Sequence, residues 1–229
     1  MTQSSCFLIA MSGGSGSGKS TLADALVTRL TPEKAVIFHE DGYYWPMRHY
    51  GPCETEEQRA RIIADANYDD PASKDTRHLV NDLSALKSGQ YIDQPVYDFD
   101  KHDRDPNKTT RIDPAPVIIL EGIHALSIPA LSSLIDLSIY VDTPDDLRLA
   151  RRLRRDVIER GRTVQNVLQH YLDTVRAAHY RFTFPSKFEA DLVIADEGLP
   201  AYGKVTPGED AIDRMLAPVL SRLSLNGVL

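Results

Sequence analysis

The sequence predicts an α/β fold: a central parallel sheet flanked by helices. Three observations carry that reading. Short runs rich in Val, Ile and Leu recur along the chain, helix-compatible stretches separate several of them, and a glycine-rich loop joins the first run to the first helix. Short, almost wholly apolar runs are what strands covered on both faces require. Their alternation with helices favours parallel crossover units.

The elements follow in order. Phe7–Met11 reads as the first strand, with Cys6 buried at its start. The loop at 13–20 opens into a helix over Ser20–Leu30, and Ala35–Phe38 gives the second strand. From Tyr43 to Asp113 the pattern breaks into a stretch rich in Tyr, Asp, Pro and His. One helix is expected there at Ser73–Ser88, with short strands at Tyr91–Phe99 and Thr109–Ile112, and the stretch reads as an inserted acceptor-binding region. Val117–Leu120 and Leu137–Val141 supply the third and fourth strands. A helix over Pro144–Arg160 follows, with Leu147, Ala150, Leu153 and Val157 at helical spacing and Gly161 as its stop. A second covers Val164–Tyr180, with Val164, Val167, Leu168, Tyr171, Leu172 and Val175 on one face. Leu192–Ile194 is the fifth strand, and a helix near Glu209–Leu223 closes the chain.

Length and composition bound the rest. The 229 residues suit one domain with an insertion and are enough to bury a sizeable core. A hydrophobic content of 42% and a charged content of 26% are ordinary for a globular protein. The formal net charge of −7 argues against general nucleic-acid binding. Cys6 and Cys53 form no disulfide framework and no metal-ligand spacing. No run reaches membrane-spanning length and the first residues do not read as a signal peptide, so the cytoplasm is the expected location, without a membrane partner.

The most specific local signal is Gly13-Gly14-Ser15-Gly16-Ser17-Gly18-Lys19-Ser20, followed by Thr21. Its fixed positions match a phosphate-binding loop, and its strand–loop–helix setting is the one that motif needs. Such a match arises by chance in roughly one chain per hundred of this length. Glycines let successive N–H groups converge on phosphate oxygens, and the following helix adds its positive end. Lys19 would reach the β- and γ-phosphates and Ser20 would meet Mg²⁺. Ligands of open α/β sheets lie beyond the carboxyl ends of the strands, which singles out Asp41 and Glu121. A phosphoryl-transfer site needs an acidic group for the metal and one to accept a substrate proton. Arg148, Arg151, Arg152, Arg154, Arg155, Arg160 and Arg162 cluster further on. Arginines can clamp a transferring phosphoryl group, although they cannot all face one ligand. His102 lies in a polar, aromatic segment suited to hydrogen-bonding a ligand, whereas His49, His78 and His179 read as surface or satisfied core residues. The seven histidines show no paired metal spacing.

Several segments together resemble the uridine kinase (uridine–cytidine kinase) family, within the wider group that includes phosphoribulokinase. They are the loop at 13–20, Asp41-Gly42-Tyr43-Tyr44, Asn67-Tyr68-Asp69-Asp70-Pro71, and Pro95-Val96-Tyr97-Asp98-Phe99 with His102 and Arg104. Leu120-Glu121-Gly122-Ile123, Val141-Asp142-Thr143, the arginine-rich piece at 151–162, Pro185-Ser186-Lys187 and 190–194 complete the set. The resemblance implies a P-loop NTPase-type sandwich with a nucleoside-binding insertion at 43–113 and a helical lid over 148–183. It implies transfer of the γ-phosphoryl group of ATP or GTP to the 5′-hydroxyl of uridine or cytidine, in pyrimidine salvage. By this analogy Asp41 is the catalytic base, assisted by Lys19, Arg152 and Arg162. The loop Gly13, Gly14, Ser15, Gly16, Ser17, Gly18, Lys19, Ser20 and Thr21 binds the donor, and Ser20 and Glu121 support Mg²⁺. Asp69 binds ribose hydroxyls, as does Arg152 or Arg162. Tyr97, Phe99 and His102 form the base pocket, with Tyr44 and Tyr68 nearby. The family is often tetrameric, which implies a homo-oligomer.

Departures from that pattern cluster on the acceptor side. Ala72-Ser73-Lys74 stands where the family often has Asp-Ala-Phe, and His170 where a glutamine contacts the nucleoside. His124 follows Glu-Gly-Ile where an aliphatic residue is common, Ala177-Ala178-His179 replaces a Pro-containing stretch, and Gly42 stands in place of serine. A kinase of another nucleoside or of a sugar phosphate therefore stays open. A nucleotide-dependent switch is the further alternative, against which Asn107-Lys108 leads into Thr109-Thr110 without the aspartate that reads guanine.

Overall fold

The computed structural model of the protein describes residues 6–31, 33–196 and 209–229. Its centre is a five-stranded sheet of β1 (Phe7–Ser12), β2 (Ala35–His39), β5 (Val117–Glu121), β6 (Leu137–Asp142) and β7 (Leu192–Ala195). The strands run parallel in the order β2-β5-β1-β6-β7. Each of the five apolar runs forms one of them, with Cys6 buried one residue ahead of β1.

Alternation along each strand divides the core in two. Ile9 and Met11 of β1, with Val117 and Ile119 of β5, face α1 (Lys19–Leu30) and α7 (Glu209–Leu225). Leu22, Leu26, Met215 and Val219 fill that side. Leu8 and Ala10, with Ile118 and Leu120, face α3 (Thr76–Lys87) and its Leu79, Leu83 and Leu86. A side chain of this kind contributes about 1.5–3 kcal/mol when fully buried, so the sheet is held from both faces.

The chain between β2 and β5 is more structured than its sequence suggests. α2 (Glu56–Asp65) was not expected, because only its Ile62 is buried and no apolar stripe marks it. Its signal is local: Thr55 and Gln58 form a capping box, each side chain meeting the other's backbone N–H. The helix expected over Ser73–Ser88 begins at Thr76 instead, with Asp75 as its cap. A 3₁₀ turn at Pro71–Ser73 precedes it. The two short strands prove to be one antiparallel hairpin, β3 (Ile92–Asp98) and β4 (Asp103–Ile112), with an irregularity between Pro95 and Tyr97. Most of β4 is polar and solvent-facing, which hid its first six residues from a hydrophobicity reading.

The arginine-rich region requires the main corrections. α4 covers Asp145–Ile158, and its inward face is Arg148, Arg152 and Asp156. The apolar set expected to face inward is only half-covered at Leu147, Leu153 and Val157 and exposed at Ala150. Charge pairing outranks hydrophobicity here. Asp156, fully buried, lies within 4 Å of four guanidinium groups, at 3.6 Å from Arg152, 2.8 Å from Arg155, 3.5 Å from Arg160 and 3.9 Å from Arg162. Beyond Gly161, α5 (Val164–His170) continues through a π-helical turn (Tyr171–Val175), a short α6 (Arg176–Ala178), a second π turn (His179–Thr183) and a 3₁₀ turn (Phe184–Phe188). The wide turns shift the helical phase. Val167, Tyr171 and Val175 are buried, but Val164, Leu168 and Leu172 of the expected face are exposed.

Removing one side of a buried ion-pair network leaves the other charged and unpaired, at a cost of about 3–5 kcal/mol. Asp156→Asn is therefore expected to destabilise the protein by about 3 kcal/mol, read from the shift of the urea unfolding midpoint. An unshifted midpoint would mean that solvent already screens the four arginines.

Candidate active site

The glycine-rich loop leaves β1 at Ser12 and turns into α1 at Lys19. Gly16 and Gly18 adopt φ values of +81° and +86°, which side-chain-bearing residues rarely do. At Gly16 the backbone carbonyl of Arg148 also occupies the space a Cβ would need. The loop is braced from α4 and from the end of β6. Thr143 Oγ1 donates to the Ser17 carbonyl at 2.9 Å, and Arg152 Nη1 donates to Ser15 Oγ at 2.9 Å. Arg148 is buried beside Gly14, bonded to the Thr143 carbonyl and to Asp145. This geometry turns a flexible sequence into a fixed cradle of N–H groups. Gly13, Gly14 and Ser17 are buried in it, and Ser20 and Thr21 stand exposed on the first turn of α1.

Parallel register then brings the acids in. His39 of β2 and Met11 of β1 both pair with Glu121 of β5, so the three strands end level. Ser20 Oγ donates to Glu121 Oε2 at 2.8 Å. Burial raises the Glu121 pKa, but the Lys19 charge and hydrogen bonds from His39 and Ser20 outweigh it and keep the group below its ordinary value. A hydroxyl and an ionised carboxylate are hard oxygen donors, the kind Mg²⁺ takes from a protein while the remainder comes from water and phosphate. Among the described residues no three His, Cys, Asp or Glu side chains form a metal cage of their own. An ion shared with substrate phosphates fits that donor set.

Asp41 lies on the 3₁₀ turn Glu40–Tyr43 that follows β2. Burial raises its pKa, but Lys74 and Lys19 override that and hold it down at about 2. It lines a cavity of about 700 Å³ with Ser15 and Lys19 at one end and Asp69, Tyr44, Tyr68, Tyr97, Phe99 and His102 at the other. Arg152, Arg155, Arg160, Arg162 and His170 also line it. Of the expected arginine cluster, Arg151 bonds instead to Asp196, and Arg154 is exposed.

Asp69 is buried and held from several sides. Its carbonyl accepts from His124 Nε2 at 3.0 Å, while its Oδ2 accepts from Thr174 Oγ1 at 3.2 Å and stands 3.4 Å from His170 Nε2. Arg152 Nη2 donates to His170 Nδ1 at 3.1 Å, so the neutral ring carries its proton on Nε2, facing Asp69. His102 has a positive φ of 52° at the tip of the β3–β4 hairpin. Burial and the Arg162 charge lower its pKa to about 4, which leaves a neutral ring against Tyr68. Arg160 covers the face of Phe99 at 4.2 Å. The hairpin tip and the segment around α4 and α5 thus meet across the cavity.

The donor-loop residues and the acceptor-side residues expected from the sequence are brought to this one region. The sequence assigns no role to Glu40, Lys74, Ile123 or Thr174, which also border the site, and names Arg155 and Arg160 only as members of the arginine cluster. Thr174 follows His170 at helical spacing, a signal too common to act on. Lys74 had a better one, since it is the charged member of the Ala-Ser-Lys departure.

A profile of the phosphoribulokinase/uridine kinase family matches residues 8–199. The chain belongs to that family. It is 39% identical to a uridine kinase of Alkaliphilus metalliredigens over 211 residues, which is 92% of this chain and 93% of the relative. A uridine kinase of Staphylococcus epidermidis is 40% identical over 191 residues, 83% of this chain and 88% of the relative. Among solved structures, phosphoribulokinase from Rhodobacter spheroides shares the fold with a TM-score of 0.58 at 17% identity, over 84% of this chain and 71% of that one.

His124 gives this site a pH dependence. The ring is fully buried, donates from Nε2 to Asp69 and accepts at Nδ1 from Ser127 Oγ, an arrangement only the neutral form can make. Burial and the Lys74 charge push its pKa down to about 4. The unfolded chain binds more protons at this residue between about pH 6.5 and pH 4, so this contribution is whole above that window and lost through it on acidification. The slope is at most about 1.4 kcal/mol per pH unit. His124→Gln should be less stable at pH 7 yet lose less stability than the parent between pH 7 and 4.5. Parallel stability–pH curves for the two proteins would remove His124 as the source.

Proposed function

We propose that this protein transfers the γ-phosphoryl group of ATP or GTP to the 5′-hydroxyl of uridine or cytidine. The observation that carries the reading is the continuity of one cavity, from the phosphate loop past Asp41 to Asp69 and its aromatic wall. The kinship with uridine kinases, at 39% identity over nearly the whole of both chains, supports the choice of acceptor.

In this reading Lys19 and the loop N–H groups hold the donor phosphates. Ser20 and Glu121 would hold Mg²⁺, which when bound would supply positive charge against the phosphates. Asp69 accepts hydrogen bonds from the ribose hydroxyls, with Arg152 and His170 beside it. The base lies among Tyr97, Phe99 and His102, with Tyr44 and Tyr68 at its edge, and the neutral His102 can donate or accept there. Asp41 faces the hydroxyl to be phosphorylated. A carboxylate with a pKa of about 2 is a weak base, and a loose phosphoryl-transfer transition state asks for little more. Asp41 aligns the hydroxyl by accepting its hydrogen bond and takes the proton as the new oxygen–phosphorus bond forms. The arginines of 152–162 close over the phosphates as part of a lid spanning 148–183 and exclude water, which favours sugar over hydrolysis. The product would be a pyrimidine nucleoside monophosphate, so we read the reaction as one of pyrimidine salvage, carried out in the cytoplasm by a homo-oligomer, by analogy a tetramer. Among the described residues no helix is long and apolar enough to cross a membrane.

The direct test is ADP release across a panel of nucleosides, deoxynucleosides and sugar phosphates. Uridine and cytidine should support multiple turnovers, with little hydrolysis when no acceptor is added. Turnover on a different acceptor alone would transfer the assignment to that compound and direct attention to Lys74 and His170. For the chemical step, Asp41→Asn should lower turnover by roughly 10²–10⁴ with nucleotide affinity retained. Near-normal turnover in that variant would take Asp41 out of the mechanism.

A further inference from the structure

The acidic turn after β2 is completed from another part of the chain. Residues 43–45 and 73–75 are joined by backbone bonds: Asp75 N–H to the Tyr43 carbonyl at 2.8 Å, Trp45 N–H to the Ser73 carbonyl at 2.9 Å, and an antiparallel bridge between Tyr44 and Lys74. The bridge delivers the Lys74 side chain to the underside of the turn. There the ammonium group donates to Asp41 Oδ1 at 2.9 Å, stands 3.2 Å from Glu40 Oε1 and lies over the Tyr44 ring, 3.2 Å from its centre. No part of the Lys74 side chain is exposed, and none of Glu40, whereas 40% of the Asp41 side chain is.

Such a buried lysine is costly unless its charge is used. Glu40 is fixed on its other side, where Oε2 accepts from the His124 N–H at 2.8 Å and the side chain packs so closely on Gly122 that it fills the space a Cβ there would need. Lys74 is therefore pinned between an immobile carboxylate and an aromatic face, with one direction left for a strong bond, toward Asp41 Oδ1. Asp41 Oδ2 has no hydrogen-bond partner among the described residues, and the residue borders the cavity.

We propose that Lys74 is a positioning residue for the transfer reaction: it tethers one oxygen of Asp41 so that the other is presented to the acceptor hydroxyl, while Glu40 balances its charge. The inference rests on the reading of Asp41 given above. It assigns Glu40 the task of anchoring the lysine, and it makes the Ala72-Ser73-Lys74 departure part of the reaction machinery, with no contact to the acceptor needed. An untethered Asp41 can rotate about its side-chain bonds, and orientation of reacting groups is among the largest contributions an enzyme makes.

The test compares Lys74→Met, which keeps the length of the chain without its charge, with Glu40→Gln/Lys74→Met, which removes the buried pair together and preserves folding if the single variant fails. Thermal midpoint, affinity for a non-hydrolysable ATP analogue with Mg²⁺, and kcat and KM for uridine are read on the full chain. For the folded variants we expect kcat to fall by roughly ten- to a hundredfold. Acceptor KM and analogue affinity should stay within about twofold, as a loss of orientation alone requires. The double variant should regain the thermal midpoint without regaining kcat, which separates positioning from mere stability. Parent-like kcat in the double variant, or a change confined to KM, would overturn the inference. Asp41→Asn, assayed in parallel, separates the two readings: if it is inactive while the double variant is active, only the role of Lys74 fails. If it turns over normally, the role of Asp41 fails and that of Lys74 with it.

Discussion

Everything in the site depends on the level ending of three parallel strands. Because Met11, His39 and Glu121 share one register line, the phosphate loop, the acidic turn and the Glu121-Gly122 corner emerge side by side. None of the three is a site alone. A glycine loop has N–H groups but no acceptor chemistry, and two neighbouring carboxylates repel unless cations interleave. The register supplies the cations' positions as well, since Lys19 opens the helix that follows the loop. A slip of one strand by one residue would turn its whole core face outward, so hydrophobic packing on both sides of the sheet fixes the site's geometry from a distance.

The acceptor end is built on different physics. Here the central sheet does not reach, and the walls are a hairpin tip, a 3₁₀ turn and two helices, with the hairpin tied to the turn by Gln94 Nε2 donating to the His39 carbonyl and Arg104 Nη2 to the Tyr43 carbonyl. Order comes instead from neutral histidines used as connectors. His124 ties Asp69 to the corner after β5, His170 links Asp69 to Arg152, and His102 meets Arg162 at 3.5 Å. Imidazole is well suited to this work, since one ring can donate on one side and accept on the other. The pattern links Asp69 and the hairpin tip to Arg152 and Arg162 of the arginine-rich wall. The two halves of the site are therefore joined by one network of hydrogen bonds.

The parallel sheet and the donor half were legible in the sequence, because their signals are local. Five short apolar runs became five strands, and the loop motif carried its own context. What escaped was whatever depends on pairing of charge. The spacing of Leu147, Leu153 and Val157 suggested an apolar inward face on α4, yet the buried positions went to Arg148, Arg152 and Asp156. No periodicity of hydrophobic residues can report a helix packed through ion pairs. α2 escaped for a related reason, since its evidence was a cap without a stripe. The location of His102, Tyr97 and Asp69 around one cavity followed from the family resemblance. Lys74 was visible only as a residue that did not match. Its meaning needed the bridge that sets it under Asp41.

The Asp156 cluster carries a thermodynamic implication. Four guanidinium groups share the Asp156 carboxylate, with Asp69 and Asp41 as the further acids acting on Arg152 and Arg160, so this wall holds a surplus of positive charge at close range. A polyphosphate entering the cavity supplies the missing negative charge and relaxes it, so part of the electrostatic cost of assembling this wall is returned only to a ligand that is an anion. Stability and occupancy are linked by mass action, and the molecule's resistance to unfolding becomes a gauge of how much nucleotide surrounds it.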